Sequence, residues 1–314
     1  MNSALKKIKD RLQNGNTGVL FAVLTVYLLL FFSNLINRYL LGNGNTFIVV
    51  FLIFSMIIPA FFWFFIRGNK QYIPSLRLNP PRRTHLLPML FAFVILACGG
   101  TLLDMIFSGE YYINFSIYNT FIADSNGEFF SVLYTVVAFV LIPSITEEFM
   151  FRGILCAELE SSGTLCSVLS SALFFSLLSL DPQRVPLGFF VGALLGIVLY
   201  ATDSLPCVII LRVCYSLFAL FVQPMLVSFK DISANLELFV FILIAIAIVF
   251  AILLTSRLSK LYLERSRENE SSDHTRSVPR GRIPHALAEI LLSPPAIACY
   301  SVFIITSILL CYIL

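Results

Sequence analysis

Thr146-Glu147-Glu148-Phe149-Met150-Phe151-Arg152-Gly153 sets two carboxylates and a guanidinium at the end of an apolar run. From Phe129 to Ile145 that run holds no ionisable side chain except Tyr134. A charge at membrane depth costs about 2.5–3.5 kcal/mol on insertion scales. Such groups persist where they neutralise one another or where they do chemistry.

Working outward, the whole chain of 314 residues is 58% hydrophobic and 12% charged. A soluble domain carries about 25% charged residues. The apolar stretches are continuous and do not alternate with polar residues, so the chain reads as a polytopic all-α membrane protein and not as a barrel. Hydropathy places candidate spans at 18–41, 47–66, 86–107, 129–159, 164–180, 185–201, 205–227, 236–257 and 295–314, about nine transmembrane helices. Lys6, Lys7, Lys9 and Arg11 in the tail, and Arg67, Lys70, Arg77, Arg82 and Arg83 in the second loop, predict a cytoplasmic N-terminus for a multi-pass integral membrane protein. Glu110, Asp124 and Glu128 fall in the loop after the third span, without a basic residue. The first span follows a basic tail and reads as a retained signal anchor.

The chain divides into 1–128, a tail with three spans, and 129–227, a core of helices four to seven. An eighth helix follows at 228–257, a polar cytoplasmic linker at 258–293, and a last span at 294–314. The linker is rich in Arg, Glu and Ser and has too little apolar content to fold alone. Gly188, Gly192 and Gly196 recur every four residues and predict close helix packing. Seven cysteines lie in or beside apolar spans and read as small buried hydrophobes. Cys311-Tyr312-Ile313-Leu314 has the C-a-a-X form. It finishes an apolar span where no transferase reaches a cysteine, and reads as membrane sequence. A net charge of +3 is a topology signal, with no nucleic-acid partner implied.

Glu148 and Arg152 are i,i+4 neighbours on a helix, acid first, the favourable order for an ion pair. Glu147 points about 100° away, and its i+4 residue is Phe151. With a turn at Ser161-Ser162-Gly163, Glu147 lies roughly 18 Å above it and Ser179, on the next helix, roughly 22 Å. Arg212 and Ser216 lie roughly 10–17 Å above the start of their own span near Leu205. Arg212 needs a counter-charge, and Glu147 is the acid left over, so a Glu147–Arg212 bridge is expected.

Glu147-Glu148-Phe149-Met150-Phe151-Arg152-Gly153 resembles the E-E-x-x-x-R-G motif of the CPBP (CAAX protease and bacteriocin-processing, or Abi) intramembrane endopeptidases. These include the eukaryotic endopeptidase that trims prenylated C-a-a-X proteins. The resemblance continues through Ser170–Leu178 and Gly192–Gly196. It ends with Thr202-Asp203-Ser204-Leu205, similar to the family's T-G-S-L turn, and covers about 140–225. It implies Glu147 as the base that activates water, with Glu148 and Arg152 as its supporting catalytic pair. Two further motifs are substituted. F-x-x-x-H reads Phe175-Ser176-Leu177-Leu178-Ser179, and H-x-x-x-N reads Arg212-Val213-Cys214-Tyr215-Ser216. Serine has no ring nitrogen to share a proton near neutral pH, and arginine stays protonated. The three histidines, 85, 274 and 285, fall in cytoplasmic loops or the linker.

Two readings follow. The first is an endopeptidase homologue, a hydrolase acting on a membrane-anchored or hydrophobic peptide, impaired at Ser179, Arg212 and Ser216. The second is a non-catalytic binding or regulatory membrane protein that holds a peptide, a lipid or a partner helix in the same cavity. A transporter finds no support in repeats or paired broken helices. Membrane lipid is the surrounding partner, and no cofactor and no metal are expected, since zinc asks for three ligands, usually including histidine.

Overall fold

The computed structural model describes residues 15–40, 56–61, 63, 76–107, 132–133, 135–226, 236–269 and 283–313. Among them the regular structure is helical, with one isolated β-bridge. In chain order the helices are α1 (Gly15–Leu40) and α2 (Leu86–Phe107), then α3 from 135 to 159 and α4 (Thr164–Leu177). They continue as α5 (Val185–Thr202), α6 (Leu205–Leu217), α7 (Leu236–Asn269), α8 (Ile283–Leu291) and α9 (Pro294–Ile313). The expected span 47–66 lies mostly outside the described residues, as do the tail 1–14 and the acidic loop 108–131.

Among the described residues, four helices are long and apolar enough to cross a membrane: Arg83–Phe107, Pro182–Thr202, Leu205–Leu226 and Glu237–Leu261. The bent pair α8 and α9, turned by 58°, would make a fifth. The chain is an integral membrane protein. About nine spans are not reached among the described residues, which leave out most of 47–66 and the start of 129–159. Helix α4 is a shorter apolar helix, and α3 carries Glu147, Glu148 and Arg152 within its length.

Local chemistry explains where helices start and stop. Gly163, at φ 104°, takes a left-handed turn between α3 and α4 that a side chain would strain. The Ser204 hydroxyl caps α6 by accepting from the Cys207 N–H at 3.4 Å, and Pro206 sits where a missing N–H costs nothing. Asp181 likewise caps the 3-10 turn before α5, accepting from the Gln183 N–H at 3.0 Å. Pro294 and Pro295 open α9 and lack the donors that would continue α8 straight, so the chain bends there. Helix α7 runs past residue 257, the edge of its apolar stretch, to Asn269. Residues 270–282 of the linker lie outside the described residues.

The chain divides into two compact units. One comprises 1–76, 146–185 and 276–314, and the other 77–145 and 186–275. In the first, α1 packs along α9, and α4 packs on the C-terminal part of α3 and on α8. Phe174 stacks on Tyr300 at 6.1 Å, the Tyr27 hydroxyl donates to the Phe174 carbonyl, and the Cys166 thiol reaches the Ile283 carbonyl at 3.6 Å. In the second, α2 is sandwiched by α7 and α6, with edge-to-face pairs Phe91–Phe250 at 5.6 Å and Phe93–Phe218 at 5.9 Å.

Two glycines set how closely the second unit packs. A Cβ on Gly99 would strike the Phe190 ring, and one on Gly100 would strike the Tyr215 hydroxyl. Gly192 and Gly196 of α5 are buried as well. Gly100→Ala is expected to lower stability by about 1–3 kcal/mol through overpacking. Adding Tyr215→Phe removes the struck atom and recovers part of the loss, read as the thermal unfolding midpoint in detergent.

Candidate functional site

Helix α3 departs from uniform α geometry at two places. Val136–Leu141 and Phe149–Leu155 are π-helical, with Ile142 N–H bonded to the Val137 carbonyl and Cys156 N–H to the Phe151 carbonyl. A third π turn, Phe218–Val222, extends α6, with Gln223 N–H bonded to the Phe218 carbonyl. Such turns are rare and concentrate at functional positions. The one at Phe149–Leu155 begins directly after Glu147-Glu148 and contains Arg152.

Helix α4 is built to receive that turn. Ser167 and Ser171, one helical turn apart, donate to the Cys156 carbonyl at 2.8 Å and the Phe151 carbonyl at 3.0 Å. The second carbonyl therefore accepts both its own π-type bond and a serine from α4. These serines add side-chain donors to backbone carbonyls buried in that stretch.

The expected ion pair is present. Arg152 Nη1 donates to Glu148 Oε1 at 3.0 Å, and both side chains are fully buried. The guanidinium lies 4.2 Å over the Phe175 ring, and Phe151 meets that ring edge-on at 5.6 Å. Phe175 thus offers its electron-rich face to the cation, a further attraction in a desolvated site. The bond along one helix and the covering aromatic ring offset part of the cost of burying the two charges. Glu147, the neighbouring acid, is also buried.

The substituted positions stand in different surroundings. Ser179 is exposed at the end of α4, where its hydroxyl donates to the Ser176 carbonyl at 3.2 Å and the Asp181 carbonyl at 3.3 Å. Its oxygen also accepts from the Asp181 N–H at 3.5 Å, so this serine closes its own turn. It belongs to the first unit, with Glu147, Glu148 and Arg152. Arg212 and Ser216 are half-buried on α6 and belong to the second.

Two features were not anticipated from sequence. Asp104, an acid inside the apolar α2, accepts from Gln223 Nε2 at 2.8 Å, and the charges of Asp104 and Arg212 both reach the buried Tyr215 phenol. An acid within a span is a signal that sequence carries plainly. His85, in the short turn that leads into α2, is buried. Its Nδ1 lies 3.6 Å from Cys207 Sγ and 3.4 Å from the Arg82 N–H. The basic residues beside it hid this packing. His285 is exposed on α8. Among the described residues, no group of three His, Cys, Asp or Glu side chains is arranged to hold a metal ion.

Residues 129–218 match the family model described as type II CAAX prenyl endopeptidase, Rce1-like. The match takes in Glu147, Glu148, Arg152, Ser179, Arg212 and Ser216, and covers less than a third of the chain. No curated protein and no solved structure matches the chain.

Removing one member of the buried pair strands the other. Arg152→Met is expected to cost about 3–5 kcal/mol. The double variant Glu148→Gln with Arg152→Met should be closer to wild type than that single variant. Chemical denaturation of the purified protein measures the coupling, and purely additive losses would count against the pair.

Proposed function

We propose, for a chain whose segment 129–218 is Rce1-like, an intramembrane endopeptidase homologue that has kept its glutamate scaffold and has an impaired site. The observation that supports this reading most directly is the contrast between two motif positions. Glu148 and Arg152 form the buried pair that the family motif calls for. Ser179, at the position of the first histidine, gives its hydroxyl to the turn that ends α4.

The chemistry follows from those groups. Peptide-bond hydrolysis needs a base that takes a proton from water and a donor that receives the developing oxyanion. Glu147 is the base in this reading, and Glu148 with Arg152 holds it in place. A histidine beside Glu147 would share the proton of the attacking water; serine cannot do so near neutral pH. Arg212 cannot act as a base, but as a permanent cation it can donate to an oxyanion. The substrate class is a membrane-anchored or hydrophobic peptide cut near the cytoplasmic face, with the N-terminus of the chain on that same side. The basic residues of the tail and second loop support this orientation.

The same substitutions favour a second reading, in which the cavity holds a peptide, a lipid or a partner helix without cleaving anything. Turnover separates the two. Membrane-anchored peptides are presented to wild type, to Glu147→Ala and to the triple variant Ser179→His/Arg212→His/Ser216→Asn. An impaired hydrolase shows slow cleavage that Glu147→Ala abolishes, and the triple variant gains about 100-fold or more, the scale of general acid–base assistance. No cleavage by wild type or by a folded triple variant supports the non-catalytic reading. Wild-type turnover as fast as the triple variant's would show that the histidines are dispensable.

A further inference from the structure

Residues 77–85, outside the matched segment, are tied to the turn between α5 and α6. The backbone of Leu78 pairs with Ser204 in an antiparallel bridge, and the Leu205 N–H donates to the Arg77 carbonyl at 2.8 Å. The Ser204 hydroxyl donates to the Asn79 carbonyl at 2.6 Å. At the centre is Asp203. Arg77 Nη1 meets its Oδ1 at 2.8 Å, and Asn79 Nδ2 donates to its carbonyl at 2.9 Å and to its Oδ2 at 3.2 Å. The Arg77 guanidinium also lies 4.4 Å over the Tyr200 ring of α5. Beneath this strap, buried His85 rests on fully buried Cys207, in the first turn of α6.

Asp203 and Arg77 both adopt left-handed backbone, at φ 52° and 51°. Glycine takes that conformation freely, and an aspartate there is strained although tolerated. In Thr202-Asp203-Ser204-Leu205 the aspartate stands where the T-G-S-L turn has its glycine. The turn's shape alone would therefore favour glycine, and what aspartate adds is a carboxylate that holds Arg77 and Asn79.

We propose that Asp203 is a positioning residue, which clamps the strap 77–85 onto the head of α6 and so fixes how that helix, carrying Arg212 and Ser216, leaves the turn. The consequence for the site rests on the reading of α6 given under Proposed function; the clamp itself does not. Arg77 supplies the fork and ring contact that a smaller cation lacks. Asn79 and Ser204 fix the strap's register through its backbone. His85, at the end of the strap, rests on Cys207 of α6. An exposed acid–base pair contributes little alone, but Arg77 is largely shielded here and acts together with four hydrogen bonds between strap and turn.

Cys207 is a native reporter of the clamp. Full-length protein in detergent is treated with a maleimide under native conditions, and the modified cysteines are located by peptide mass spectrometry. Wild type should protect Cys207, with labelling that tracks the population of the opened strap. Asp203→Gly and Arg77→Ala should label Cys207 about tenfold faster or more, as expected for a lost set of local contacts. Arg77→Lys should fall between Arg77→Ala and wild type. Cys166 and Cys299, buried in the other unit, should keep their wild-type rates. Cys207 protection in Asp203→Gly equal to or greater than in wild type would overturn the proposal, because the residue would then serve only the turn. Equal acceleration at Cys166 and Cys299 would also overturn it, since the contacts would then support the whole fold and not one strap. No substrate enters the measurement, so its outcome is independent of whether the hydrolase reading stands.

Discussion

The first unit depends on one buried ion pair. Glu148 and Arg152 have almost no water to solvate them, so each needs the other, and Arg152 needs the face of Phe175 as well. That requirement fixes the neighbourhood. Phe175 must stand over the guanidinium, so α4 must pack against α3 in one register. Ser167 and Ser171 then meet the carbonyls of Cys156 and Phe151 in and beside the π turn. Gly163 lets the chain reverse so that this packing occurs within a short hairpin.

The second unit meets a different demand. Its helices are largely apolar and gain little from burying one greasy face against another within lipid. Specificity comes instead from close contacts and from polar groups placed among them. Gly99 and Gly100 admit Phe190 and Tyr215, Asp104 takes an amide from Gln223, and the strap at 77–85 fixes the head of α6. The π turn at Phe218–Val222 lies just before Gln223, and its closing hydrogen bond is made by the Gln223 N–H itself.

Much of this was legible in the sequence. Continuous apolar runs marked the helices, and α2, α5 and α6 begin within a residue of the expected positions. The Glu148–Arg152 pair followed from helical spacing alone. The π turns did not, because they are formed by ordinary apolar helix residues whose spacing carries no mark of the change in hydrogen-bond pattern. The burial of the His85 ring against Cys207 is hidden in the sequence because the arginines beside it read as water-facing. The strain at Asp203 was hidden for a similar reason: a T-D-S-L turn reads as an ordinary polar turn until its backbone angles and the position of Arg77 are known. Asp104 was legible as an acid in an apolar span, but its partner Gln223 becomes apparent only when α2 and α6 are packed.

The central physical claim is that Glu148 is an ionised carboxylate, held so by Arg152 in a site without solvent. The infrared spectrum of the protein in lipid, recorded for wild type and Glu148→Gln, tests this most directly through the band that disappears. An ionised pair predicts loss of a carboxylate stretching band at neutral pH, with no change in the region of protonated acids. Loss of a protonated-acid carbonyl band instead would mean that Glu148 is neutral and that the site is held together by packing and a neutral hydrogen bond.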